Sequence, residues 1–145
     1  MNNEMKSGDE TTFQDEFSKR AKKYLGENSD EILVKERYQE ISVYMNHLRK
    51  KIGSVKNKNY EFLIVPGESF IKIESAQFKV ALGESGDFIH IMNVINGEQN
   101  SLDKLYKKDE FLLSQTSDEE FTMELLENYL RTTFKDILYH DLRVQ

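Results

Sequence analysis

Between Asn59 and Ile95 apolar and polar residues alternate with a period of two, and on either side they recur every three to four residues. Neighbouring side chains on a strand point to opposite faces, so the contrast predicts a central sheet flanked by helices. Tyr60 to Val65 reads as a strand. Pro66-Gly67 reads as a turn, because Pro presets φ and Gly accepts the positive φ of a type II turn. Phe70 to Glu74 is a second strand, closed by a reversal at Ser75-Ala76. Gln77 to Leu82 is a third, with Phe78, Val80 and Leu82 on one face. A Gly-rich turn over residues 83–87 leads to a fourth strand, Phe88 to Ile95. Asn96-Gly97 then marks a hairpin, since both central residues of a type I′ turn need positive φ. Connections this short require antiparallel neighbours. The apolar runs Phe62 to Val65 and Phe88 to Met92 point to strands covered on both faces, one by helices and the other by a further helix or a second subunit.

Ahead of the strands, Phe13, Phe17, Ala21, Tyr24 and Leu25 share one side of a helix. Thr11 and Gln14 have capping-box spacing and Gly26 suits a left-handed cap, so the first helix is expected over Thr12 to Leu25. Asn28 or Ser29 caps a second helix that ends at Ile52, before Gly53. Its apolar residues Val34, Tyr38, Ile41, Met45, Leu48 and Ile52 are spaced 4, 3, 4, 3, 4. That is under three heptads, shorter than coiled coils need, so the seam is expected to pack inside its own domain. From Asp30 onward this helix spans about 34 Å. A seven-residue strand spans only about 23 Å. One end is therefore expected to overhang the sheet as a partner surface.

After Asn96-Gly97, residues 98–106 can pair back as a fifth strand. A turn at Lys107 to Asp109 and a short strand at Phe111 to Leu113 follow. Ser117 and Glu120 form a capping box before a broad apolar face from Phe121 to Leu138, which predicts a third helix over Asp118 to His140. The expected class is α+β: two N-terminal helices, an antiparallel meander of 4–6 strands, and a C-terminal helix packed on the sheet. Residues 1–10 read as a disordered tail and residues 11–145 as a single domain.

Composition narrows the function. The chain has 145 residues, enough for one domain with a real core, and no cysteine, which removes disulfides and thiolate metal sites. Its net charge of −6 argues against nucleic acid or anionic lipid as a general partner. No secretion signal and no membrane span are expected, because no long apolar run exists. A cytoplasmic protein is the expectation.

The search for chemistry returns little. Gly67-Glu68-Ser69 and Gly83-Glu84-Ser85-Gly86 do not complete the nucleophile-elbow pattern, and each precedes a strand where the elbow needs a helix. The histidines at 47, 90 and 140 are far apart, and no metal-binding or phosphate-cradling spacing occurs. His90, inside an apolar strand, is first of all a core residue. It is also the candidate for a pocket between sheet and helices if a carboxylate orients it. The basic runs Lys19 to Lys23 and Arg49 to Lys58 fall near helix ends, where they complement the helix dipole. Asp118, Glu119, Glu120, Glu124 and Glu127 make an acidic start to the last helix, of the kind that attracts basic partners.

Tyr24-Leu25-Gly26, the meander, and Met123-Glu124-Leu125-Leu126-Glu127-Asn128-Tyr129-Leu130 together resemble small proteins of unknown function from bacilli and their mobile elements. The resemblance covers most of the chain and implies no activity, cofactor or site residue. The reading is a non-enzymatic protein–protein interaction module, of inhibitor, immunity or accessory type from a phage or mobile element. Its expected contact surface is Tyr44, His47 and Arg49 on the exposed side of the second helix, facing an unidentified protein. No catalytic residue, metal or cofactor is assigned. The alternatives are a ligand-binding or catalytic domain around His90, and a structural homodimer through the heptad seam or an open sheet face.

Overall fold

A computed structural model describes residues 7–25, 29–56 and 59–139 of the chain. The elements run α1 (Ser7–Tyr24), α2 (Ser29–Ile52), β1 (Tyr60–Val65), β2 (Glu68–Ile73), β3 (Ala76–Leu82), β4 (Phe88–Ile95), β5 (Glu98–Lys108), β6 (Phe111–Ser114) and α3 (Met123–Leu138). The architecture is the expected α+β. The six strands form one antiparallel sheet in sequence order, so both strands after Gly97 belong to it. The Pro-Gly and Asn-Gly turns follow the anticipated chemistry. Gly67 sits at φ 88°, and Asn96 and Gly97 sit at 54° and 85°. The reversal expected at Ser75-Ala76 falls instead at Glu74-Ser75, with Glu74 at φ 54° and Ala76 the first residue of β3.

Register gives the sheet two unlike faces. Ile71 lies opposite Phe78, Val80 opposite Ile91, and Ile89 opposite Leu105. These residues are buried with Val34, Tyr38, Ile41 and Met45 of α2 and Leu126 and Phe134 of α3 in a single core. The heptad seam of α2 is thus an intramolecular surface against the sheet, as its short length implied. Leu48 is half-buried, and Ile52 at the helix end is exposed. The opposite face carries Phe70, Lys79, Phe88, His90, Met92, Lys104 and Tyr106, and no described helix packs on it. The apolar runs of β1 and β4 therefore feed two faces, of which only one is covered by helices.

Three further expectations change. First, α1 begins at Ser7, so residues 7–10 are helical where a tail was expected, and Thr11 lies inside the helix. Gly26 and Asn28 lie outside the described residues. Second, α3 begins at Met123, because residues 119–121 pair back onto β6. Ser114 N–H donates to Glu119 O at 2.8 Å and Phe121 N–H donates to Leu112 O at 2.8 Å. These bonds, and burial of Phe121, outweigh the Ser117 capping box, and Thr122 caps the helix in its place. His140 lies outside the described residues. Third, β5 runs through Lys108 and the turn moves to Asp109-Glu110, with Asp109 at φ 58°.

The pairing of β4 with β5 is irregular at one point. Ile91 pairs with Asp103 but Met92 pairs with Ser101, so β5 bulges at Leu102. An extra residue in one strand shifts the facing of everything beyond it. Ser101 therefore lies on the open face while Asp103 points under the helices.

Candidate functional site

Polar residues beneath the helices are matched to partners within the fold. Asp103 is only 3% exposed. Its carboxylate accepts from the Tyr129 hydroxyl of α3 at 2.6 Å, from Thr116 N–H at 3.0 Å, from Lys104 N–H at 2.8 Å, and from the Ser114 hydroxyl. Burial by itself would raise the carboxyl pKa. The hydrogen bonds from Ser114, Tyr129, Thr116 and Lys104 outweigh it and hold the group below the usual value. The Tyr129 phenol is pushed up to about 12 by burial and by the adjacent carboxylate. Four donors on one ionised acceptor make a joint between β5, β6, the following loop and α3. No basic side chain among the described residues forms an ion pair with it. The serine of the first glycine-flanked triplet is likewise structural. Ser69 is fully buried, and its hydroxyl lies 3.1 Å from the Tyr38 hydroxyl of α2.

The residues singled out from the sequence do not assemble into one site. Tyr44 is not on an outward face. It is half-buried between the helices, where its hydroxyl donates to Glu127 of α3 at 2.9 Å. His47 and Arg49 are exposed, but two residues on a helix of ~3.6 per turn point to nearly opposite sides. Arg49 donates to its neighbour Asn46 at 2.6 and 3.1 Å. That divergence is readable from helical geometry, whereas the turn of Tyr44 toward α3 is not. His90 alternates with the fully buried Ile89 and Ile91, and so faces away from the helices. A pocket between sheet and helices cannot include it. Its Nε2 lies 2.8 Å from the Ser101 hydroxyl on the open face, and burial together with Lys104 lowers its pKa.

Besides the open sheet face and a cleft beside Tyr38, Ile64, Val65 and Leu82, the helices present two apolar surfaces. A groove of about 320 Å³ opens between the C-terminal half of α2 and α3. Leu48, Ile52, Leu130 and Leu138 form its walls, Ile71 its floor, and the Tyr44–Glu127 bond one rim. The second surface is α1. Its Phe13, Phe17 and Tyr24, with Leu25 just beyond its end, are 62%, 60%, 89% and 80% exposed, and the two Phe rings stack at 5.7 Å. Asp15, Ser18, Lys19 and Lys22 share a cleft with Ile32, Lys35 and Glu36 of α2. From Thr12 to Leu25 every residue but Ala21 is exposed, and the aromatic stripe lies on the side of the helix opposite the residues that line this cleft. Sequence periodicity locates the stripe but implies burial on the domain itself, since an amphipathic helix ordinarily buries its apolar side.

Among the described residues no group of three or more His, Cys, Asp or Glu could hold a metal ion, and no helix is long and apolar enough to cross a membrane. Residues 14–138 match the model of a family described as protein of unknown function (DUF3942), and the chain belongs to that family. No curated protein and no solved structure matches the chain.

Proposed function

We propose that this protein is a non-enzymatic protein–protein interaction module whose docking element is α1. The observation that carries this reading is the aromatic stripe of α1, directed away from the domain that should otherwise bury it. Contiguous exposed apolar surface on a folded chain marks a contact site more often than chance placement does. The polar groups with catalytic potential add support from the other side. Asp103, Ser69 and Ser114 are buried and hydrogen-bonded within the fold, out of reach of a substrate. An inhibitor, immunity or accessory role fits a small acidic module of this kind, as does the resemblance to proteins of bacilli and their mobile elements. A chain without cysteine suits the reducing cytoplasm.

The test is affinity capture from nuclease-treated lysate with two baits, the intact chain and its Phe13→Glu/Phe17→Glu variant. A stoichiometric protein, a second copy of the chain included, retained by the first and lost by the second is the expected result. A partner retained equally by both would remove α1 from the reading.

A second reading rests on the groove between α2 and α3, whose mouth exposes Ile52 and Leu138. It would accept an elongated apolar ligand with one polar end near Glu127 and Arg131. A thermal shift with a medium-chain amphiphile, abolished by Leu130→Gln but not by Phe17→Glu, would favour it.

A further inference from the structure

We infer that the partner of α1 is a second copy of this chain, and that the two α1 helices pair antiparallel through Phe13, Phe17, Ala21 and Tyr24. This rests on the reading of α1 as the docking element and names what docks there.

The first argument is shape. Phe13, Phe17, Ala21 and Tyr24 are spaced 4, 4, 3 and fall within one narrow side of the helix. Such a stripe suits a second straight helix better than a flat or globular face. The stripe lies opposite the α1 residues that share a cleft with α2, so α2 leaves it uncovered.

The second argument is charge. The first ten residues of α1 contain four acids and no base, and the last eight contain four bases and no acid. Two such helices laid antiparallel bring each acidic half against a basic half, at both ends at once. A parallel pair would set like against like and align the helix dipoles unfavourably. The polarity also complements the dipole of the helix itself, which accounts for its ends but not for the exposed aromatic stripe. Glu16 and Arg20 lie on the same flank of the stripe, joined to each other at 3.0 Å. In an antiparallel pair related by a two-fold axis, one flank meets itself inverted. Glu16 then lies beside Arg20 of the second copy, and the reverse.

The third argument is area. A buried aromatic side chain contributes about 150–250 Å². At the exposures of Phe13, Phe17 and Tyr24, the three supply about 400 Å² per copy, and Leu25 raises the pair to roughly 1,000 Å². That is below the ~1,200–2,000 Å² of stable complexes, so the dimer is reversible and concentration-dependent. A membrane surface is the competing occupant of an aromatic, partly basic helix. Interfacial helices carry bases along the polar face, whereas the first half of α1 carries only acids.

Sedimentation equilibrium of the full chain from about 1 to about 500 μM tests this, with circular dichroism to follow folding. The expected mass doubles across that range. Phe13→Glu/Phe17→Glu stays monomeric with an unchanged spectrum at low concentration. At low salt, Glu16→Arg and Arg20→Glu each weaken the dimer at least about threefold, and the double exchange restores it to within about twofold. A wild-type chain that stays monomeric throughout overturns the inference. So does a dimer that survives the double glutamate variant, since its contact lies elsewhere. Failure of the double exchange to restore affinity overturns the antiparallel arrangement. Phe17-dependent binding to phosphatidylglycerol vesicles by a monomeric chain would replace the second copy with a membrane. A foreign protein captured through α1 of a monomeric chain would end self-association while preserving the interaction reading. A dimer that depends on Phe13 and Phe17, with no foreign protein captured, supports the inference and keeps α1 as the docking element.

Discussion

The phenol of Tyr129 donates to the carboxylate of Asp103 at 2.6 Å, and this bond ties α3 to the strand that bulges beneath it. Asp103 keeps the facing of Leu105 under the helices, and the bulge at Leu102 turns Ser101 beyond it to the open face. The loop between β6 and α3 is anchored on the same carboxylate through Thr116 and Ser114.

Asp103→Asn should therefore be among the most damaging single substitutions in the chain. An amide cannot accept from two backbone N–H groups and two hydroxyls as an ionised carboxylate does. Hydrogen bonds to charged groups contribute about 1.5–3 kcal/mol each, and a loss of roughly 3 kcal/mol is expected. Tyr129→Phe should cost about 1–2 kcal/mol. Urea denaturation measures both. A loss below about 1 kcal/mol for Asp103→Asn would mean the joint contributes little.

Stability should fall at both ends of the pH scale. The folded-state pKa of Asp103 is depressed, so its contribution is complete above the ordinary Asp value of about 3.9 and is lost as pH falls through the lower folded value. The Tyr129 pKa is raised to about 12. Its contribution is complete below the ordinary tyrosine value of about 10, and is lost as pH rises from there toward the folded value. Tyr38 and Tyr44 are shifted upward too, by burial first, and steepen the alkaline limb. Thermal midpoints across the range should show a plateau between these limits. Tyr129→Phe should flatten the alkaline limb, and an unchanged limb would sever it from this phenol.

Gly83→Ala should destabilise the β3–β4 hairpin. A Cβ there would lie 2.1 Å from the Phe88 ring, which also carries Lys104 over its face at 5.4 Å. Relief requires Phe88 to leave its rotamer and release the lysine. Overpacking of this kind costs about 1–3 kcal/mol. The double variant Gly83→Ala/Phe88→Ala should lose no more than Phe88→Ala alone, which separates the clash from backbone effects.

Tyr60→Phe should leave stability unchanged or raise it by up to about 1 kcal/mol. The Tyr60 hydroxyl is buried without a hydrogen-bond partner, and burial pushes its pKa up. Removing an unsatisfied polar atom relieves a desolvation cost and leaves the edge-to-face contact with Phe62 intact. A clear loss of stability in a melt would show that the hydroxyl has a partner in solution.

The succession of β1 to β4, the Pro-Gly and Asn-Gly turns and the seam of α2 are legible in the chain itself, whereas the place of β6 in the sheet is not. Alternation with period two runs through the strands from Tyr60 to Ile95. The Pro66-Gly67 and Asn96-Gly97 dipeptides constrain φ before any tertiary contact forms. The candidate site is far less legible. Tyr44, His47 and Arg49 are close in sequence, but helical geometry separates two of them and α3 claims the third. The start of α3 escapes local reasoning because the Ser117 capping box is a short-range signal, and non-local pairing of residues 119–121 with β6 outweighs it.

What the sequence determined alone is therefore what short-range physics governs: the period of each element, the sign of φ at its Pro-Gly and Asn-Gly turns, and the amphipathic side of each helix. Only the tertiary structure decided which apolar sides are buried. The seam of α2 and the stripe of α1 look alike as patterns, yet one lies in the core and the other faces solvent. The reason is that burial is a property of two surfaces meeting. A sequence states only one of them at a time, and the bulge at Leu102 shows how one extra residue redirects the rest.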